Sequence, residues 1–257
     1  MSLQDKVVVV TGGAKGIGES TAHMFLREGA KVAVLDQDEQ AGAAVVADAG
    51  DRSLFISCDV SQGESVAAAF DQIERSLGDV DLLVNNVGIV SYGTVTDTSE
   101  EDWDRVLAVN LKSAFLCAKH AIPMMQRQGG GVVINVSSVQ AFMSQEKVAS
   151  YTSSKSALLG LTRSIAVDYA PEIRCVAVCP GTVDTSMLRE AIKGAPDPEA
   201  MLRECDEMHL LKRIAQPEEV AELIVFLCDD KAAFITGQAI RFDGGLGVTI
   251  LGSKRDE

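Results

Sequence analysis

Positive charge is scarce in this sequence. The 257 residues include 23 lysines and arginines against 37 aspartates and glutamates, a formal net charge of -14. No basic run is longer than two residues. A surface of this sign repels phosphate backbones and anionic lipid headgroups. The composition therefore argues against nucleic acid and against a membrane as partners.

Clustered cysteine and histidine are also missing. Only three histidines occur, and the six cysteines are scattered without a C-x-x-C pair. They are Cys58, Cys117, Cys175, Cys179, Cys205 and Cys228. This pattern indicates neither a zinc site nor a redox pair, so no metal is expected, and the cysteines are predicted to be buried thiols in a reducing compartment.

The sequence lacks a long apolar run as well. No stretch approaches the ~18 apolar residues of a membrane-spanning helix, and the N-terminus leads into a strand pattern without the apolar region of a signal peptide. A soluble cytoplasmic protein is therefore expected. The length fits one large α/β domain, residues 1–257.

One polar stretch in the second half of the chain carries the strongest chemical signal. Tyr151 and Lys155 are four residues apart, so on a helix their side chains lie on one face, one turn apart. A nearby ammonium group favours the phenolate, which predicts that Lys155 lowers the Tyr151 pKa and makes Tyr151 a proton acceptor. Ser138 follows the apolar run 132–134 and can hydrogen-bond the same substrate oxygen from a strand end. Taken alone, Tyr151 and Lys155 more often form an ordinary exposed pair on a helix.

A glycine-rich turn follows the first predicted strand, residues 6–10. It reads Thr-Gly-Gly-Ala-Lys-Gly-Ile-Gly from residue 11 to 18 and leads into a helical pattern at 19–28. Glycines between a strand and a helix let the backbone approach a pyrophosphate at the helix N-terminus. Since no G-K-[ST] sequence is present, a P-loop is excluded and a dinucleotide site is predicted.

An acidic residue ends the second predicted strand, residues 31–35. This is Asp36, twenty residues beyond Gly16. A carboxylate at this place can accept both ribose hydroxyls of NAD, and it repels the 2′-phosphate of NADP. Asp36 therefore favours NAD.

Five separated motifs together resemble the classical short-chain dehydrogenase/reductase family, over about residues 5–247. They are the G-x-x-x-G-x-G turn that begins at Gly12, Asn85-Asn86-Val87-Gly88, Ser137-Ser138, Tyr151 with Lys155, and Pro180-Gly181. Val87 stands where the family usually has alanine, a small departure that should leave the backbone unchanged. The resemblance implies a doubly wound parallel sheet of about seven strands, a single-domain Rossmann fold with helices on both faces.

The resemblance also implies roles for individual residues. Asn110 matches the family's fourth catalytic residue, which kinks its helix and holds a water linked to the lysine. The implied catalytic residues are Asn110, Ser138, Tyr151 and Lys155. The implied cofactor contacts are Gly12, Lys15, Gly16, Ile17, Gly18, Asp36, Asp59, Val60, Asn86, Gly88, Tyr151, Lys155, Pro180, Gly181, Val183 and Thr185.

Five of these contacts carry specific expectations. In the family, residues at the places of Asp59 and Val60 hold the adenine, and those at Val183 and Thr185 fix the nicotinamide carboxamide. Lys15 opposes Asp36, because NADP-dependent relatives often bind the phosphate with a basic residue there. A carboxylate that must desolvate beside a dianion is the harder obstacle, so NAD is expected over NADP.

The substrate is expected to be a small molecule beneath a lid at residues 186–212. The residues predicted to bind it are Ser138, Gln140, Tyr151, Thr182 and His209, although His209 also fits a solvated loop residue. Several segments, such as residues 88–93 and 137–141, look like the sugar (aldose) 1-dehydrogenase branch. Oxidation of an aldose to its lactone is therefore the predicted reaction.

Two other functions stay open. A 3-oxoacyl-carrier-protein reductase or other 3-hydroxyacyl enzyme normally uses NADPH, and a carrier protein is itself acidic, which suits a chain at -14 poorly. A non-catalytic dinucleotide-binding protein would need a broken catalytic set, yet all four residues are present. The family's helices pair across two-fold axes, so a homotetramer or homodimer is expected through the helices near residues 103–122 and 151–169.

Overall fold

Seven parallel strands form one sheet in the computed structural model, which describes residues 3–248; the ends of the predicted domain, 1–2 and 249–257, lie outside the described residues. The strands are β1 (Val7–Thr11), β2 (Lys31–Asp36), β3 (Ser53–Ser57), β4 (Leu82–Asn85), β5 (Gly131–Val136), β6 (Ile173–Pro180) and β7 (Ala239–Phe242). Their order across the sheet is β3-β2-β1-β4-β5-β6-β7. The predicted doubly wound fold of about seven strands is confirmed.

Helices cover both faces of the sheet. They are α1 (Gly16–Arg27), α2 (Glu39–Val46), α3 (Gly63–Ser76), α4 (Glu100–Leu107), α5 (Ser113–Arg127), α6 (Ala149–Tyr169), α7 (Ser186–Lys193), α8 (Pro198–Met208) and α9 (Pro217–Cys228). The apolar residues of α3, α5 and α6 belong to one core layer, and those of α1, α2 and α9 belong to the other. The two layers sandwich the sheet, as a parallel sheet requires.

Strand β1 shows why an unbroken apolar run predicts a central strand. Val7 and Val9 pack into one core layer, whereas Val8 and Val10 pack into the other. Successive side chains of a strand point to opposite faces, so a strand that is buried on both faces has no polar alternation. Its neighbours β2 and β4 pair with it in parallel register.

The helix predicted near residues 103–122 is divided into three pieces. Helix α4 ends at Leu107, a π-helical turn covers Ala108–Lys112, and α5 begins at Ser113. The π turn contains Asn110, which agrees with the kink that the family resemblance implied there. An extra residue in a helical turn changes the direction of the helix and is frequent at functional sites.

The predicted lid region contains two short helices, α7 and α8. The side chains of Thr185 and Asp197 cap their first turns, and Gln216 with Glu219 forms a capping box at the start of α9. These caps satisfy backbone N–H groups that have no partner inside the helix. They fix where α7, α8 and α9 begin.

Residues 3–248 contain no membrane-spanning helix, no cluster of metal-ligating side chains and no disulfide. No helix in this range combines the length and hydropathy needed to cross a membrane. No group of metal-ligating side chains is found among the same residues. All six cysteines are free thiols, and all but the partly exposed Cys205 are buried.

Candidate active site

The predicted functional residues gather at the carboxyl ends of the central strands. The glycine-rich turn follows β1, Asn86 and Gly88 follow β4, Ser138 follows β5, and the loop 181–185 follows β6. All strands run in the same direction, but the order in which the chain adds them across the sheet reverses between β1 and β4. A doubly wound sheet opens a crevice at such a reversal, outside the carboxyl ends of its strands.

Tyr151 and Lys155 lie on the first turns of α6, facing β5. The Lys155 ammonium lies 5.7 Å from the centroid of the Tyr151 ring and donates to the carbonyl oxygen of Val136 at 2.9 Å. Lys155 is only 3% exposed. An ordinary exposed helical pair is therefore excluded, and the lysine is held against the strand end that precedes Ser138.

The acid–base properties of this pair are set by burial. Burial lowers the pKa of Lys155 to about 8. Burial also raises the pKa of Tyr151; a hydrogen bond with Ser138 lowers it in part, and the nearby Tyr92 adds to the rise. The prediction that the Tyr151 pKa is lowered by Lys155 is wrong for the protein alone, because loss of hydration of the phenolate outweighs the stabilising groups.

Asn110 ties three elements together from the π turn. Its side-chain oxygen accepts from the Ile89 amide at 2.8 Å, and its nitrogen donates to the Ile89 carbonyl at 2.9 Å and to Ser154 Oγ at 3.0 Å. Ser154 belongs to α6, and its hydroxyl donates to the Tyr151 carbonyl. The water that relatives hold at this place stays a prediction for this chain.

Gly88 is the point at which these groups meet. A Cβ atom added there would lie 3.2 Å from Lys155 Nζ and 3.7 Å from the Asn110 side-chain oxygen. The absence of a side chain at Gly88 therefore keeps the surface beside the lysine open. The structure thus brings Asn110, Ser138, Tyr151 and Lys155 together around one crevice.

The glycine-rich turn has the shape that a pyrophosphate needs. Gly12 adopts a φ of +63°, and a Cβ on Gly18 would lie 2.1 Å from the Gly12 carbonyl oxygen. Lys15 precedes α1 without a side-chain cap, so the first N–H groups of the helix receive no side-chain acceptor there. Helix N-termini of this kind bind phosphates, and the turn therefore fits a dinucleotide.

Asn86, the residue directly after β4, holds the same turn in place. Its side-chain nitrogen donates to the carbonyl oxygens of Thr11 and Gly12, at 3.1 and 3.0 Å. These bonds give the Asn86 amide a structural role that the sequence did not predict. Its contact with a cofactor stays a prediction, as does that of Ile17, which packs against the core beneath the turn.

Asp36 is oriented by two backbone amides. One carboxylate oxygen accepts from the Ala14 N–H and the other from the Asp38 N–H, each at 3.0 Å. Each oxygen keeps a lone pair that can accept from a ribose hydroxyl. Lys15, the predicted phosphate contact, lies 2.6 Å from the carboxylate of Asp38, a residue that the sequence did not single out.

The predicted adenine contacts lie after β3. Asp59 accepts from the amide and the hydroxyl of Ser61, at 3.0 and 2.7 Å, through a single carboxylate oxygen. Val60 is buried. The Asp59 side chain therefore shapes its own loop, and contact of either residue with adenine stays a prediction.

Backbone contacts hold the loop after β6 against the segment that follows residue 212. Val183 forms a parallel bridge with Ala215, and the Gly181 amide donates to the Phe242 carbonyl at 3.0 Å. Gly16 lies beside Thr185, since a Cβ on Gly16 would lie 3.1 Å from the Thr185 methyl group. The dinucleotide turn and the predicted nicotinamide loop, which runs from Pro180 to Thr185, are thus neighbours.

His209 is not the solvated loop residue that the sequence also allowed, and its contact with a substrate stays a prediction. It is 2% exposed; its Nε2 accepts from the Thr182 amide at 3.2 Å, and its Nδ1 lies 2.7 Å from the Cys205 carbonyl. Because Nε2 accepts, the proton is on Nδ1, which donates to Cys205. The ring fits beside Gly181 and Gly244, where a Cβ would crowd it. His209 joins the lid to the loop after β6.

Two further side chains lie near the catalytic pair. Gln140 follows Ser138, whose hydroxyl accepts from the Gln140 amide at 3.1 Å, and the Gln140 side chain donates to Gln145 at 3.0 Å. Tyr92 was not predicted; the amide of the next residue, Gly93, donates to the Lys147 carbonyl at 2.7 Å, which anchors this loop just before α6. Binding of substrate by Gln140 or Thr182 stays a prediction.

Comparison with known proteins places this geometry in a family. A family model described as enoyl-(acyl carrier protein) reductase matches residues 12–247. An uncharacterized oxidoreductase of Thermotoga maritima is 43% identical over 249 residues, which cover 95% of this chain and 98% of that protein.

Two solved structures extend the comparison. The aldohexose dehydrogenase of Thermoplasma acidophilum, in ligand-free form, superposes with a TM-score of 0.90 at 40% identity, covering 99% of this chain and 98% of the other. A variant of the actinorhodin polyketide ketoreductase with NADPH gives a TM-score of 0.89 at 29% identity, covering 95% and 98%.

Proposed function

The chain belongs to the classical short-chain dehydrogenase/reductase family, and from this premise we propose that it is an NAD-dependent dehydrogenase that oxidises an aldose at C1 to its lactone. The observation that carries the proposal is the placement of Ser138, Tyr151 and Lys155 at the end of β5, beside a turn shaped for a dinucleotide. The presence of all four implied catalytic residues, Asn110 included, also argues against a non-catalytic binding protein.

The protein's own groups divide the chemistry among them. When bound, the nicotinamide supplies the acceptor for the hydride that leaves C1. Ser138 and Tyr151 hold the C1 hydroxyl, and Tyr151 takes its proton. With a pKa of about 8, Lys155 is mostly charged at neutral pH and stabilises the tyrosinate form of Tyr151, which is the form that accepts this proton. Asn110 holds the π turn, Ile89 and α6 in register around them.

The preference for NAD is proposed from Asp36. Its two oxygens are aimed by the Ala14 and Asp38 amides, so the carboxylate is fixed where the adenosine ribose is expected. Two hydroxyls suit such an acceptor, whereas a 2′-phosphate would face a charge of its own sign. Asp36→Ala should narrow the ratio of kcat/KM with NAD to kcat/KM with NADP. A higher kcat/KM with NADP in the wild type would contradict the proposal.

A neutral substrate is proposed from the charges of the lid. Residues 184–207, which cover most of the lid, contain seven acids and three bases, and each base pairs with an acid of the same segment. Arg189 pairs with Asp184, Lys193 with Glu190, and Arg203 with Asp197 and Glu199. A carboxylate or phosphate on the substrate would therefore have to compete with these acids for a cation. The 40% identical aldohexose dehydrogenase supports a sugar.

An apolar secondary alcohol or a 3-hydroxyacyl thioester is the second candidate. Met187, Met201 and Met208 of the lid are exposed, and flexible methionines suit an apolar ligand. The ketoreductase among the similar structures points the same way. The acidity of the chain weighs against an acidic carrier protein as partner.

A substrate panel separates these candidates. Purified protein is incubated with NAD and, in turn, aldoses, 3-hydroxy acids, 3-hydroxyacyl thioesters, steroids and simple secondary alcohols, while reduced nicotinamide is followed by absorbance. We expect the highest kcat/KM with an aldose. If every aldose is inert while a thioester or an apolar alcohol is oxidised, the sugar assignment is wrong and the dehydrogenase assignment stands.

A homodimer or homotetramer is proposed for the assembled enzyme. The outer sides of α5 and α6 expose Phe115 and Val167, large apolar residues that an isologous helix contact would cover. Sedimentation equilibrium should give two or four copies of the chain. Substitution of Val167 by glutamate should weaken the assembly, whereas a monomeric wild type would contradict the proposal.

A further inference from the structure

An ion pair joins the two loops that would surround the adenosine ribose. Lys15, in the turn after β1, lies 2.6 Å from the carboxylate of Asp38, in the turn after β2. Lys15 is 57% exposed and Asp38 38% exposed. Asp36 is bonded to both loops, because its oxygens accept from the amides of Ala14 and Asp38.

Asp38 is held in place by more than its cation. Its Oδ1 accepts from the Ala41 amide at 3.0 Å and caps α2, and its Oδ2 is the atom that meets Lys15. Its own amide donates to Asp36. The hydrogen bond between Lys15 and Asp38 raises the pKa of the lysine and lowers that of the aspartate. Both groups are therefore charged at neutral pH, in a geometry that the helix cap maintains.

The pair changes what Lys15 offers to a ligand. A free lysine beside the turn would attract a 2′-phosphate and would oppose Asp36. When Lys15 is paired with Asp38, its positive charge is already neutralised. Lys15, Asp36 and Asp38 together carry one net negative charge. A 2′-phosphate would have to displace Asp38 from Lys15 and then remain close to both carboxylates.

We infer that Asp38 is a second determinant of cofactor choice, which acts by withholding Lys15 from the 2′-phosphate of NADP. The inference rests on the proposed function, since it assumes that a dinucleotide binds at the turn. It assigns to Asp36 the ribose hydroxyls and to Asp38 the neutralisation of Lys15, the cation in the turn after β1. Lys15 then joins the two loops through its ion pair with Asp38.

Calorimetric titration tests this inference without any turnover. The probes are ADP-ribose and ADP-ribose 2′-phosphate, which carry the adenosine half of NAD and NADP, at low ionic strength. Wild type should bind ADP-ribose more tightly. Asp38→Asn keeps a side-chain oxygen for the Ala41 cap and removes the charge, so it should bind the 2′-phosphate probe about tenfold more tightly, while its affinity for ADP-ribose changes by less than about twofold.

Two further variants show whether Lys15 is the cause. Lys15→Gln in the Asp38→Asn background should abolish the gain for the 2′-phosphate probe. Lys15→Gln in the wild-type background should change that affinity much less, because the charge is already paired. Asp102→Asn is the matched control: it removes one charge from another exposed ion pair, with Arg105 on α4 at 2.8 Å, and should leave both affinities unchanged.

The outcomes distinguish the inference from its premise. If Asp38→Asn binds both probes in the wild-type ratio, the inference is overturned while ADP-ribose binding still supports the dinucleotide site. If neither probe binds to the wild type, the dinucleotide site is wrong and the inference falls with it. Asp38→Ser, which also supplies a helix-capping oxygen, repeats the test if Asp38→Asn does not fold.

Discussion

Burial of Lys155 makes the stability of the protein depend on pH in a way that one substitution removes. The lysine is almost fully buried, and burial lowers its pKa from the ordinary value of 10.5 to about 8. Between these two pH values the unfolded chain binds a proton that the folded chain has lost. Stability therefore rises with pH through this window, and the charged lysine costs stability below it.

The size of the effect follows from the two pKa values. A difference of this size corresponds to about 3 kcal/mol at pH values below both. Between pH 7 and pH 9.5, which covers most of the window, Lys155 should contribute a gain of about 2 kcal/mol in the free energy of unfolding. In Lys155→Met this gain is absent. At pH 7 the variant also loses the hydrogen bond to Val136, worth about 1 kcal/mol, so we expect it to be more stable than wild type by about 2 kcal/mol.

Urea unfolding of the protein without cofactor, followed by the fluorescence of Trp103, the single tryptophan, measures both quantities. The change in the free energy of unfolding with pH is compared between wild type and Lys155→Met. Contributions of other groups that titrate in the same range cancel in this comparison, because both proteins contain them. Lys231→Met removes an exposed lysine and should follow the pH dependence of wild type. If Lys155→Met and wild type gain the same free energy between pH 7 and pH 9.5, the lysine does not carry the burial cost that its surroundings imply.

Three other predictions concern the turn, the lid and the base. Gly18→Ala should lose ADP-ribose binding and about 1–3 kcal/mol of unfolding free energy, because the new Cβ would lie 2.1 Å from the Gly12 carbonyl oxygen. Calorimetry measures the binding and urea unfolding measures the stability. Unchanged binding would contradict this prediction. His209→Ala leaves the Thr182 N–H and the Cys205 carbonyl without their side-chain partner. It should therefore lower the free energy of unfolding by about 1–3 kcal/mol. The control is His23→Ala, on the exposed side of α1, which should change this free energy little. Because the Tyr151 pKa is raised, kcat/KM for oxidation should rise about tenfold per pH unit below that pKa; a flat profile from pH 6 to pH 9 would exclude a tyrosine base.

The sheet could be predicted from the sequence because its signals are local. A buried parallel strand is marked by an apolar run, which β1 shows from Val7 to Val10 and β5 shows from Val132 to Ile134. The motifs that follow the strands lie at their carboxyl ends by the rule of parallel sheets, so the sequence alone assigns Asp36, Ser138 and the loop after β6 to one edge of the sheet. Helix ends were displaced by a few residues, as caps and frayed turns allow.

Features that depend on distant packing could not be predicted in this way. The Lys15–Asp38 pair joins two turns that only the register of β1 with β2 brings together. The burial of His209 requires glycines from two other loops, at Gly181 and Gly244.

The Tyr151 pKa was mistaken for a related reason. Spacing on a helix shows that Lys155 is near, but it does not show how much water the fold removes from the phenol. One signal for Asp38 was present in the sequence: an acidic residue directly before a helical pattern predicts an N-cap, and hence a carboxylate fixed near the ribose.

The most direct test of the account compares wild type with Tyr151→Phe, which removes one hydroxyl. Reduction of NAD by the best aldose is measured for both, and the affinity for NAD is measured separately by calorimetry. The account predicts that the variant binds NAD as wild type does, while kcat falls by about 10² to 10⁴, the loss expected for a positioned acid–base group. A variant that still reduces NAD at the wild-type rate would contradict the assignment of Tyr151 as the proton acceptor and, with it, the central claim.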